Sequence, residues 1–354
     1  MIFDRNLLDF PKFEGEKDDS PRFARAIAAC ENGVLYVPKG VYDIASPIKI
    51  SNFCSLEMHP ASVLKAVKEM NFVLTYDGGE YFKYLVIPGK DGGMFDNLNL
   101  FIRGGDIDGA GLASCLKIAN YHHFTLKDIA LHNGKKYGLY TGAGFGYELI
   151  ASNVYAKTII SGLGGNCAFC SDLSDSHFID CIAVDYTVGF RLNSSGNRLT
   201  RCHVWGGIVK PERGFTQKSW CELYYNRRYD IEGYTDQSKW SAEGNLPEML
   251  KNSVCFDISG GNNLDGCYAD TAKIGFLLRG DAYLNSCGAF NNYRFGLNDC
   301  VVIEQTGGRA YLTNCVFYKW SPGTRLYRGK GSVFALQTNA CGFDERFPSP
   351  EKGE

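Results

Sequence analysis

No apolar run in these 354 residues reaches the length needed to span a membrane. The opening, "MIFDRNLLDFPKFEGEKDD", lacks the basic end and apolar core of a signal peptide. The expectation is a cytoplasmic protein with no membrane partner, unless the chain is phage-borne or a trimmed secreted one. An excess of charge is missing too. The net charge is −2, which leaves a nucleic-acid partner no electrostatic footprint. Metal signatures are scarce: the 6 histidines show no ligand spacing, and "CAFC" (Cys167, Cys170) has no second CxxC. No metal and no cofactor is expected. The pair His122 and His123 is expected on opposite faces of a strand. "TGAGFG" (Thr141 to Gly146) is followed by no helix pattern, which argues against a phosphate loop.

What is present is ordinary in bulk: 45% hydrophobic and 21% charged residues, and enough length for one large domain or two ordinary ones. The 14 cysteines are the exception. In a chain expected to stay inside the cell they read as free thiols, not disulfides.

Their spacing is the stronger signal. "SHFIDCIAVDYTVGFRLNS" (Ser176 to Ser194) returns as "NNLDGCYADTAKIGFLLRG" (Asn262 to Gly280), each with a Cys, an Asp just after it and a Gly-Phe further on. Cysteines at 181 and 202, then at 267 and 287, give steps of 21 and 20. The segments between them alternate in polarity, are rich in Val, Ile, Phe, Leu and Tyr, and are punctuated by Asn, Gly and Asp. A period of roughly twenty residues with several short strands predicts an all-β fold, a single-stranded right-handed parallel β-helix. The cysteines then form an inward column. "DDSPRFARAIAACENG" predicts a capping α-helix over 20–32, with Ser20 as N-cap, Pro21 at the first helical position and Phe23, Ala26, Ile27 and Cys30 at helical spacing. The expected organisation is one β-helix domain over 1–345 and a tail over 346–354.

"EGEKDDSPRFARAIAAC" followed by "GVLYVPKGVYDI" resembles the opening of the pectate-lyase-like β-helix superfamily, whose members include polygalacturonase-type glycoside hydrolases and phage tailspike depolymerases. "GGDIDGAG" (Gly104 to Gly111) is similar to a turn that recurs there. The resemblance implies a carbohydrate-active protein. It carries no catalytic residue across. Polygalacturonases bear an Asp pair six and seven residues beyond the cysteine position and a Gly-His-Gly on the next rung. Here those offsets hold Thr187 and Val188, then Lys273 and Ile274, and no Gly-His-Gly occurs.

One interval breaks the period: Cys202 and Cys267 lie 65 residues apart. The surplus, about residues 207–252, is too aromatic for a disordered tether and predicts an ordered flap. Its Trp220, Tyr224, Tyr225, Tyr229 and Trp240 offer flat faces to pyranose rings, and Arg227 and Arg228, with Lys273 outside it, suit carboxylates. By phase the flap leaves the turn that carries Asp185 one rung earlier and Asp270 one rung later. Two rungs separate these acids by roughly 9–10 Å, against roughly 6.5–9.5 Å in inverting glycosidases. Glu222, Asp230 and Glu232 of the flap are further candidate acids, while turn chemistry alone also explains Asp residues at such places.

Three functions compete. The leading one is a glycoside hydrolase cutting an oligo- or polysaccharide with two carboxylates. The second is a polysaccharide lyase on a uronate polymer. The third is a non-catalytic glycan-binding or tail-fibre protein, for which a homotrimer is expected.

Overall fold

The computed structural model describes residues 4–51, 53–79, 100–158, 165–205, 252–270, 272–290, 299–319 and 323–348. The alternating segments form strands of 2 to 7 residues. These assemble into three sheets of 12, 10 and 11 strands among the described residues, and every pairing is parallel. Apart from Arg5–Asn6, which pairs with the next strand Val34–Val37, sheet neighbours stand three strands apart in the chain, so each turn of the coil contributes one strand to each sheet. Parallel crossovers of this kind wind right-handedly, and the fold is a single-stranded right-handed parallel β-helix. Among the described residues no helix is long and apolar enough to cross a membrane.

The chain divides into two compact units, Met1–Ala156 with Cys170–Ile182, and Lys157–Phe169 with Ala183–Glu354. The first unit holds the cap helix, which runs Ser20–Ala28 and stops short of the expected 32. Its last turn tightens, with the Ala29 amide on the Arg25 carbonyl and the Cys30 amide on that of Ile27, and Asn32 turns the chain away at φ 54°. Asp19, not Ser20, is the N-cap. The Ser20 hydroxyl is used elsewhere, accepting from the amides of Ala45 and Ser46 at 3.0 Å each, which ties the helix to the coil. Phe23, Ala26 and Ile27 form the buried face, and Phe23 meets Tyr42 edge to face at 5.5 Å. His122 and His123 do not alternate as expected. His123 takes a left-handed φ of 52°, which breaks the pleat and brings the two rings edge to face at 4.4 Å.

In the second unit the interior is ordered by phase. Phe169, Phe190, Phe256 and Phe276 stack along successive rungs with centroids 4.5, 5.5 and 5.1 Å apart and ring planes within 11°. All four are fully buried. Beside them Cys202, Cys267, Cys287 and Cys315 make a column of buried free thiols. Cys267, Cys287 and Cys315 each donate to a carbonyl of an earlier rung, those of Leu199, Leu264 and Leu284, at 3.4–3.5 Å. Burial pushes the Cys287 thiol up, so it stays protonated and acts as a small apolar filler with a weak donor. Cys167 and Cys170 are likewise buried and free. At the far end Phe347, in the expected tail, packs edge-on against Phe317 and Tyr327.

A stack held at fixed pitch cannot collapse onto a void. Phe256→Ala is therefore expected to cost about 3–5 kcal/mol, read by denaturant unfolding. A loss below about 1 kcal/mol, the range of volume-conserving swaps, would show that the ring stack does not carry the core.

Candidate functional site

The outer face of the ten-stranded sheet in the first unit carries a trough of about 910 Å³. Strand alternation turns Lys49, Thr75, Lys117 and Tyr140 outward, and register makes them one row across the strands Ile48–Ile50, Phe72–Asp77, Ser114–Ala119 and Tyr137–Thr141. Beside this row Phe72 pairs with Ser114, and the Tyr137 amide donates to the Ser114 hydroxyl at 3.2 Å. The rings of Phe72, Tyr137 and Tyr140 lie nearly parallel, with centroids 4.8–6.3 Å apart. Lys135 and Lys136 line the same trough. Lys135 is paired with Glu69 at 2.8 Å, and the Lys136 ammonium sits 5.1 Å from the Tyr137 ring centre. The Tyr140 phenol donates to Asp172 at 2.7 Å, and burial together with that carboxylate holds the phenol protonated well above its ordinary range.

A polar cluster lies on the eleven-stranded sheet, on the strands that precede the trough strands Ser114–Ala119 and Tyr137–Thr141 in the chain. In the strand Asp106–Asp108 the pleat puts both acids on one face, around the inward Ile107. The strand Ala130–His132 pairs with it, Asp108 opposite His132. The His132 Nδ1 lies 2.8 Å from each Asp106 oxygen. Asp108 is fully buried, and its Oδ1 accepts from the Ala110 amide at 2.8 Å and from the Asn133 amide group at 3.0 Å. Gly109 follows because nothing larger fits: a Cβ there would lie 2.1 Å from the Ala113 carbonyl oxygen and 2.9 Å from that of Asn133. Leu112 and Ser114 then line the trough at the head of one strand, and Lys135 just before the next, its amide bonded to the Ala113 carbonyl at 2.9 Å. Burial, and next the charge of Asp106, raise the Asp108 carboxyl above its ordinary value.

The candidates drawn from the repeat lie in the second unit. Asp185 is at a corner, 2% exposed, with φ 60°. Its amide donates to the Trp205 carbonyl at 3.2 Å, and Trp205 is the register partner of Asp270. In a parallel ladder that bond places Asp185 one position beyond the row of Trp205 and Asp270. Asp270 is half-buried at the end of the strand Tyr268–Asp270. Lys273 is half-buried, its amide on the Ser253 hydroxyl at 3.0 Å. Trp220, Glu222, Tyr224, Tyr225, Arg227, Arg228, Tyr229, Asp230, Glu232 and Trp240 lie outside the described residues. Lys157, wholly buried in this unit, escaped the sequence reading, as did Asp106, Asp108 and His132 in the other. The D-x-D spacing of "GDIDG" was a usable signal, since residues two apart share a strand face. Among the described residues no group of three or more His, Cys, Asp or Glu side chains is arranged to hold a metal ion.

No protein-family model and no curated sequence matches this chain. Solved structures do. ORF18 of Geobacillus virus E2 superposes with TM-score 0.61 at 13% identity, over 97% of this chain and 62% of that one. The enzymatically active domain of bacteriophage CBA120 tailspike protein 2 gives 0.61 at 11% identity, over 94% and 47%. The endo-xylogalacturonan hydrolase of Aspergillus tubingensis gives 0.56 at 13% identity, over 93% and 92%. This chain therefore spans less than two thirds of the two phage chains it matches, and what it shares with all three is the fold.

Because the Asp108 carboxyl is raised in the folded state, that state holds its proton to higher pH than the unfolded chain does. Its contribution to stability is present below the unfolded value of about 3.9 and is lost as pH rises through the folded value. Asp108→Asn, which keeps the acceptor for Ala110, is expected to raise the melting temperature at pH 7–8 and to flatten the acid-side slope. An unchanged slope would remove Asp108 as a buried neutral acid.

Proposed function

We propose that the protein is a carbohydrate-active enzyme, a glycoside hydrolase that lays a glycan along the trough of the first unit. The observation that carries this reading is the trough itself: three near-parallel rings beside lysine side chains on a rigid sheet face. Rings offer apolar faces to pyranoses, and ammonium groups suit sugar hydroxyls and carboxylates. Two of the proteins sharing the fold are named for enzymatic action, one of them on xylogalacturonan, which supports the reading by analogy of fold alone.

Asp106 and Asp108 are the acid–base pair of this reading. Strand rise sets their Cα atoms about 6.6–6.8 Å apart on one strand face, and inverting enzymes hold their two carboxyls about 6.5–9.5 Å apart. Asp108, whose carboxyl burial raises, protonates the leaving oxygen. Asp106, oriented by His132, takes the proton of the attacking water. Asp108 is closed off in the free protein, so this role requires the glycine-rich turn at 109–111 to open when glycan binds. Asp185 with Asp270 is the competing pair, and the flap acids Glu222, Asp230 and Glu232 are further candidates. A lyase is the second reading, favoured by Lys49 and Lys117 of the row, whose ammonium groups suit neutralisation of a uronate carboxylate.

A panel of plant, algal and bacterial glycans, scored for reducing ends and for ultraviolet absorbance, separates these. New reducing ends without absorbance are expected. Asp106→Asn and Asp108→Asn should each lower kcat about 10²- to 10⁴-fold, the second while gaining stability. Absorbing products would make it a lyase, and binding without turnover a non-catalytic glycan receptor. Full activity in both variants, with loss in Asp185→Asn and Asp270→Asn, would move the chemistry to the second unit.

A further inference from the structure

The trough has an order beyond its composition. Its outward row reads Lys49, Thr75, Lys117, Tyr140 on successive strands: ammonium, hydroxyl, ammonium, phenol. The adjacent row reads Phe72, Ser114, Tyr137 on the last three of those strands. The two rows are out of step. Where the first carries the Lys117 ammonium, the second carries a serine; where the first carries an uncharged Thr75 or Tyr140, the second carries a ring. Tyr140 is also bonded to Asp172, whose carboxylate makes that step unfavourable for an anion. Among the described residues neither Lys49 nor Lys117 has a carboxylate within ion-pair distance, whereas Lys135 is paired with Glu69.

The second unit shows what an outward row of this sheet looks like when its charges are satisfied internally. Arg191, Asp257, Leu277, Glu304 and Arg328 occupy one row. Asp257 is held by Arg191 at 2.8 Å and by Arg279 at 2.7 Å, and Arg328 is bonded to Glu304. That row is neutralised by its own members together with Arg279, and the lysine row is not.

We infer that the trough takes a polysaccharide bearing one anionic group per disaccharide, laid across the strands. This deepens the glycan-binding reading above and rests on it. Lys49 and Lys117 are two strands apart, roughly 9.4–9.8 Å, about the length of a disaccharide unit. The acidic sugars lie over Lys49 and Lys117, and the uncharged sugars lie against Phe72, between them, and Tyr137, one strand beyond Lys117. A polymer charged on every sugar would place a carboxylate over Thr75 and another beside Asp172, where no cation of the row answers it.

Calorimetric titration of the intact chain tests this with four probes of equal length. Hyaluronan and chondroitin oligosaccharides alternate uronate with an uncharged N-acetylhexosamine, oligogalacturonate is acidic at every residue, and chitin oligosaccharide is uncharged. An alternating probe is expected to bind at least tenfold more tightly than both of the others, and to lose that margin as salt rises. Lys49→Gln and Lys117→Gln should each weaken the alternating probe several-fold more than the neutral one. Phe72→Ala should weaken all of them. These side chains face solvent, and an unchanged melting temperature confirms that each variant folds. Tighter binding of oligogalacturonate, or neutral and alternating probes binding equally, would overturn the inference and leave the glycan-binding reading standing. Binding of no probe to the unaltered chain would overturn both.

Discussion

Parallel main-chain hydrogen bonding at a constant strand spacing is the constraint on which the rest of this molecule depends. Each rung must place its strands directly over those of the last, at about 4.8 Å, because a slip of one residue would turn the inward set outward. Sequence distance is thereby converted into axial adjacency. Residues twenty to sixty-six positions apart, such as Phe190 and Phe256 or Phe256 and Phe276, become stacked neighbours. The cysteine column obeys the same rule. A thiol fits where a methyl would leave space, and its weak donor finds a carbonyl of an earlier rung.

The same rule acts on outward rows, where it meets a different energetic problem. Like charges in one row face each other at strand spacing and repel. In the second unit the sequence resolves this by alternating sign around Asp257 and Glu304. In the first unit it sets Thr75 between Lys49 and Lys117, which doubles their separation without supplying a counter-charge. Leaving cations unneutralised on a rigid face forgoes a little stability. A site for an external anion accounts for that arrangement. Asp108 shows the same exchange in the interior: burial and the charge of Asp106 raise its carboxyl, which disfavours the charged form in the folded protein.

Much of the architecture was legible from particular residues. The steps of Cys181 to Cys202 and Cys267 to Cys287 show the coil because an interior column tolerates few residue types. Phe23, Ala26 and Ile27 show the cap helix because its buried stripe repeats at helical spacing. The site was less legible. Asp106 and Asp108 were read within a turn motif, although their spacing of two already put them on one face. His132 carried no signal, since its partner Asp106 lies 26 residues back and only the pairing of two rungs brings them together. Lys49 and Lys117 stand 68 residues apart, and only the pairing of each with Thr75 brings them into one row. The left-handed turn at His123 likewise depends on a local break in the pleat that no periodicity reveals.

Sequence alone determined that this chain would wind as a coil of short strands, because pattern, turn residues and the cysteine period are local properties that each rung states for itself. Tertiary structure alone decided which outward side chains share a row, which acids are buried and which cations are left unanswered. Those outcomes depend on the register between rungs, which is set by hydrogen bonds between strands distant in sequence and cannot be summed from either strand by itself.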